Sequence, residues 1–166
     1  MKINAKKYIV FTLAILGTVT VGLAQTSGTL TIQGTVAASA SIAVAPLSGY
    51  NTLDILDGVS AQNVANITEK TNDKNGYTVT MTSLNAGASG SSLFLKDTGT
   101  GSDTVPYSLT YNGVAVTFSS GSSTLTSTAS RTAQAGVVKA LAVTIASSWV
   151  NAATYADTLT FTIAGK

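Results

Sequence analysis

The 166-residue chain contains neither cysteine nor histidine, and only two prolines and one tryptophan. The two missing residue types take with them the thiol nucleophile, the usual general base near neutral pH and the usual ligands of transition metals. No Ser-x-x-Lys spacing offers a serine nucleophile with a lysine base. Asp54 and Asp57 flank Ile55-Leu56, but acids so placed at a strand end more often form turns than a glycosidase dyad. The chain is therefore expected not to be an enzyme, and neither a catalytic residue nor a cofactor is expected.

Charge is scarce as well, at 10% of residues. Three of the nine basic residues, Lys2, Lys6 and Lys7, precede an apolar run from Tyr8 to Leu23, and Gly22 and Ala24 place small side chains three and one before a cut at Gln25. This order of charged, apolar and small residues is that of a secretory signal peptide. A retained anchor needs about 20 strongly apolar residues, whereas Thr12, Gly17, Thr18, Thr20 and Gly22 dilute this run and no later stretch is long enough to span. Export with cleavage after Ala24 is expected, leaving no membrane span. From Gln25 onward six Lys/Arg stand against seven Asp/Glu, so the basic character leaves with the leader. No basic patch remains, and nucleic acid is not an expected partner. Export would permit disulfides, yet there is no cysteine to form them.

What is abundant is Thr, Ser, Ala, Val and Gly, the β-branched residues suited to a pleated surface and the glycines suited to turns. Short alternating pieces recur. Ile42 and Val44 lead to Pro46, Leu53 and Ile55 precede Asp57-Gly58, and Val64 and Ile67 lead to the turn signal Asn72-Asp73-Lys74-Asn75-Gly76. Tyr77, Val79 and Met81 alternate with threonines, and a short apolar piece runs from Leu93 to Leu95. Val105, Tyr107, Leu109 and Tyr111 reach Asn112-Gly113, after which Val114, Val116 and Phe118 continue the clearest hairpin. Val137, Leu141, Val143 and Ile145 form a further strand, and Tyr155, Leu159, Phe161 and Ile163 line one face of the last. No sustained helical spacing occurs after the leader. Seven to nine short strands predict an all-β, immunoglobulin-like β-sandwich. Trp149 is expected as a core plug or loop anchor. Asp97 and Asp103 span a Gly-rich loop whose oxygens would suit Ca²⁺. The loop lacks the dense acidic pattern of a calcium site, so a plain turn and no metal are expected there.

The stretch Gly28-Thr29-Leu30-Thr31-Ile32-Gln33-Gly34-Thr35-Val36 resembles the opening of the chaperone–usher pilins. Asn72 to Ser83, Val105-Pro106-Tyr107 and the closing run from Tyr155 to Ile163 are similar to the spore coat U and related fimbrial branches of that family. The chain departs from the family where Ser39, Ala40 and Ser41 stand in place of a first cysteine, and where it ends Ala164-Gly165-Lys166 rather than with a penultimate tyrosine. The resemblance implies a sandwich that lacks its last strand and is completed by a donor strand from a neighbouring subunit. Residues 25 to 44 are too long without a turn for one ordinary strand, and they divide near Gly34 into a donor segment and a first core strand. The implied organisation is a signal peptide over 1–24, a donor extension over 25–35 and the pilin domain over 36–166. Gly28, Leu30 and Ile32 would form the donor interface. The implied partners are further copies of the chain, a periplasmic chaperone, an outer-membrane usher and a host or surface receptor, with a surface fimbrium as destination. Two functions stay open: a fibre subunit serving adhesion or biofilm formation, and a monomeric immunoglobulin-like binding module such as a lectin or adhesin tip.

Overall fold

The computed structural model describes residues 27–166, so the expected signal peptide and the cut at Gln25 lie outside the described residues. The chain divides after Thr35 into two units. Of the first, residues 27–35 carry no strand and expose their side chains. The second, Val36–Lys166, is all β.

Its strands are β1 (Ala40–Pro46), β2 (Val59–Thr71), β3 (Tyr77–Ser83), β4 (Leu93–Asp97), β5 (Thr104–Tyr111), β6 (Val114–Ala115), β7 (Ser122–Thr128), β8 (Val137–Ile145), β9 (Tyr155–Ala156) and β10 (Leu159–Gly165). They form two antiparallel sheets. The larger has the order β1-β2-β8-β5-β4-β9, with β6 folded against β5, and the smaller is β10-β3-β7. This is the expected immunoglobulin-like sandwich. The core lies between the sheets because side chains alternate across each strand. Ala65 and Ile67 of β2, Leu109 and Tyr111 of β5, and Leu141, Val143 and Ile145 of β8 face Met81 of β3.

Turn chemistry sets the connections. Asn112 and Gly113 both take positive φ, 50° and 79°, the type I′ geometry that matches the twist of a two-residue hairpin. In the β2–β3 turn the Asp73 carboxylate accepts from the Asn75 amide at 2.9 Å. Gly76 sits there at φ 94°, and a Cβ on it would lie 2.0 Å from the Thr128 carbonyl oxygen, so only glycine fits.

Three expectations need correction. The first core strand begins at Ala40 rather than near Gly34, because Asn72 holds the preceding residues by its side chain, donating to the Ala37 carbonyl at 2.8 Å and accepting from the Ser39 amide at 2.7 Å. After Asn112-Gly113 the returning strand pairs for only two residues, and Phe118 reaches the core from a loop. Trp149 is neither plug nor anchor. It stands 95% exposed in the loop between β8 and β9.

Candidate functional site

Two strands meet at an opening between the sheets. β1 is paired on one side, by β2, in a register running from Ala40↔Thr71 to Pro46↔Ala65. Among the described residues β10 is paired on one side, by β3, from Leu159↔Ser83 to Gly165↔Tyr77. The two strands come close to each other without hydrogen-bonding as a ladder. Between them lies a groove of about 330 Å³, with Val44, Leu159 and Phe161 on its rims and Leu109, Leu141 and Val143 on its floor.

The side chains register the gap. Inward residues of the central strands are sealed, with Ile67, Val79, Met81 and Val105 fully buried. On the rims the inward set is only half-covered: Ile42, Leu159, Phe161 and Ile163 are intermediate and Val44 is 48% exposed. A sandwich that covered its own core would bury them. Each half-covered large apolar side chain leaves part of about 1.5–3 kcal/mol of burial unrealised. The free edge of β10 also presents backbone donors and acceptors to any incoming extended segment.

Polar clusters brace both ends of the opening. At one end Asp157 accepts from the hydroxyls of Ser83 and Tyr107, each at 2.6 Å, and from the amides of Asn85 at 3.1 Å and Thr158 at 2.7 Å. Asn85 in turn donates to the carbonyls of Phe94 at 2.9 Å and Ala156 at 2.8 Å. Burial, and then the Asp157 carboxylate, hold the Tyr107 hydroxyl well above the ordinary tyrosine range. At the other end Glu69, opposite Ile42 in the β1–β2 register, is completely buried. Its carboxylate accepts from Tyr77 at 2.8 Å, Tyr111 at 2.6 Å and Thr126 at 2.7 Å, and pairs with the Lys139 ammonium at 3.0 Å. Lys139 also donates to Thr126 at 2.6 Å and lies 5.4 Å from the centre of the Tyr111 ring. The cluster ties β2, β5 and β8 of one sheet to β3 and β7 of the other. Burial alone would push Glu69 up, but the hydroxyls of Thr126, Tyr111 and Tyr77 and the Lys139 ammonium together draw it below the usual carboxylate value. Conversely, burial and the Glu69 carboxylate push Tyr77 up to about 12 and Tyr111 higher still.

The sequence is similar to no protein-family model and to no curated protein.

Of the residues expected at a donor interface, Gly28, Leu30 and Ile32 lie in the first unit, and Leu30 and Ile32 are 84% and 87% exposed. The other candidates take ordinary roles. Asp54 accepts from the Asp57 amide at 3.0 Å, and Asp97 from the Gly99 amide at 2.7 Å, both closing turns. Asp103 binds the Asn151 side-chain amide at 2.7 Å. Among the described residues no three His, Cys, Asp or Glu side chains gather as a metal site. Glu69 itself was missed by sequence reasoning. Its signal was parity: it continues the inward series Ala65, Ile67, and Lys139 holds the inward position before Leu141 on β8.

Proposed function

We propose that this chain is a structural subunit of a bacterial surface fibre, polymerised by strand addition, and that it is not an enzyme. The observation that carries the reading is the groove between β1 and β10, where a free strand edge borders half-covered apolar side chains. An extended segment hydrogen-bonded to β10 would complete the smaller sheet and cover the core, the physics of β-strand addition. Residues 25–35 of a second copy supply such a segment. Leu30 and Ile32 are two apart and share one face of a strand, so both would enter the groove, with the small Gly28 beside them. In the resemblance drawn above, a periplasmic chaperone would occupy the groove before assembly and an outer-membrane usher would deliver the subunit to a cell-surface fimbrium, where it serves adhesion or biofilm formation. A second reading, a monomeric extracellular binding module of lectin or adhesin-tip type, draws on one observation. The exposed Trp149 lines an open cleft together with Asp54 and Asn151.

The two readings separate on completion of the fold. β10 ends at Gly165 beside Lys166, so a copy of residues 25–36 appended through a short Gly/Ser linker can turn back antiparallel along the free edge. Tethering gives the strand an effective concentration in the millimolar range. The appended chain is expected to be a stable monomer, whereas the unmodified chain associates or unfolds at lower denaturant. An unmodified chain that is already a monomer, with the same unfolding midpoint as the appended one, would defeat the fibre reading and leave the binding module.

A further inference from the structure

The charged side chains are sorted to opposite ends of the sandwich. Register fixes the ends. Ala40 pairs with Thr71, Tyr77 with both Gly165 and Thr128, and Glu69 with Val137. One end is therefore built from the start of β1, the β2–β3 turn, the end of β10 and the β7–β8 loop. Among the described residues it carries Lys70, Lys74, Arg131 and Lys166, all exposed, against Asp73 alone, so folding gathers into a basic patch cations that lie scattered along the sequence, where none was expected. At the opposite end Val59 pairs with Ile145 and Leu159 with Ser83, and β4 and β5 meet beyond them at Lys96↔Thr104. That end carries Asp54, Asp57, Asp97, Asp103 and Asp157 against Lys96 alone. The formal charges are +3 and −4. Glu69 and Lys139 neutralise each other inside. The acidic-end carboxylates whose partners are described take neutral donors: Asp103 binds Asn151, and Asp157 binds hydroxyls and amides.

Each end is also concave. At the basic end an open cleft of about 660 Å³ is walled by Lys70, Arg131, Thr132 and Gln134. At the acidic end one of about 560 Å³ is walled by Asp54, Leu56, Trp149 and Asn151. Trp149, almost wholly in water, is the side chain most enriched, with Tyr and Arg, at the energetic centre of protein interfaces.

We propose that the acidic end of one copy docks on the basic end of the next, with Trp149 entering the cleft beside Lys70 and Arg131. Opposite fields orient the approach, and a lysine or arginine cation over the indole face adds attraction once water leaves. The contact joins two unlike patches, so it is heterologous and repeats head to tail, as an open row unless its rotation closes a ring. It rests on the fibre reading for its setting and is a contact distinct from strand addition into the groove.

The Ile32→Asp chain isolates this contact, because an Asp at that position disables the donor strand while the poles stay intact. Sedimentation velocity of this chain should show reversible association that weakens at least about tenfold between roughly 20 mM and 300 mM NaCl. Lys70→Glu/Arg131→Glu takes the basic end from +3 to −1, so that both ends are acidic, and Asp54→Lys/Asp57→Lys takes the acidic end from −4 to neutral; all four positions are exposed. Each double variant alone should stay monomeric at low salt, and an equimolar mixture should associate again, because the unchanged acidic end of the first meets the unchanged basic end of the second. Association indifferent to salt, or a mixture no more associated than its components, overturns the polar contact. Multimers that survive high salt and denaturant in the Ile32→Asp chain would instead count against the donor segment, since strand exchange has a different signature.

Discussion

Ile32→Asp is expected, on the fibre proposal, to leave a folded chain that does not form fibres. Ile32 is exposed in the described chain, so the substitution removes nothing from the sandwich core. In a neighbour's groove it would set a carboxylate against Phe161, Leu141 and Val143 with no cation to meet it. An unpaired buried charge costs several kcal/mol, on top of about 1.5–3 kcal/mol of lost apolar burial. Together these reduce strand addition by three orders of magnitude or more, since about 1.4 kcal/mol is a factor of ten. Thr31→Asp is the matched control, because strand alternation turns it to the opposite face. Circular dichroism reads the fold and electron microscopy reads the fibres. Wild-type levels of fibre from Ile32→Asp would show that this segment is not the donor, and loss of fibre from Thr31→Asp alone would show that the facing is reversed.

The second large effect lies inside the sandwich. Glu69→Leu removes the carboxylate that receives Tyr77, Tyr111, Thr126 and Lys139. It leaves three hydroxyls without that acceptor and the Lys139 ammonium with the Thr126 hydroxyl in place of a carboxylate, and breaking a buried pair in this way costs about 3–5 kcal/mol. The expected fall in Tm is about 10–20 °C for a domain of this size. Far-UV circular dichroism is the suitable probe, since Trp149 is already in water and reports little on unfolding. A loss below about 1 kcal/mol would mean the cluster contributes nothing beyond its packing. The same cluster sets a pH dependence. The folded Glu69 titrates below its ordinary value, so its stabilisation is full above the unfolded carboxylate range and fades as pH falls through the lower folded value. Tyr77 and Tyr111 titrate above theirs, so their contribution is full below about 10 and fades as pH rises through the folded values. Glu69→Leu should remove this group's share of the acid limb and lessen the alkaline one, whose larger cause, burial of the two tyrosines, remains.

How much of this was legible in the sequence depended on range. The β5–β6 hairpin was legible because Asn112-Gly113 is a local signal, and the inward series of β5 followed by alternation. β2 showed only as Val64 and Ile67, although it runs from Val59 to Thr71. Two register shifts break its alternation against β8, and Ala61 takes φ 48°. The groove was not legible from the residues alone. It arises because strands at opposite ends of the domain, β1 and β10, become neighbours without pairing, and no local pattern encodes a missing partner. Glu69 was hidden by type, since Tyr77 and Tyr111 read as apolar and gave no sign that their hydroxyls converge.

The register of β1 has a mechanical meaning. The N-terminal segment enters the sandwich at Ala40, at the start of a strand whose seven residues all pair with β2. A pull on that segment runs along the strand axis, while the bonds of an antiparallel pair lie across it. The load is then shared by the whole ladder at once, in shear, instead of opening one bond after another like a zipper. Single-molecule pulling between residue 39 and residue 101, in the β4–β5 loop at the opposite end of the sandwich, should therefore meet a higher rupture force than pulling between residues 39 and 74, which lie at the same end and would peel β1 from β2 bond by bond.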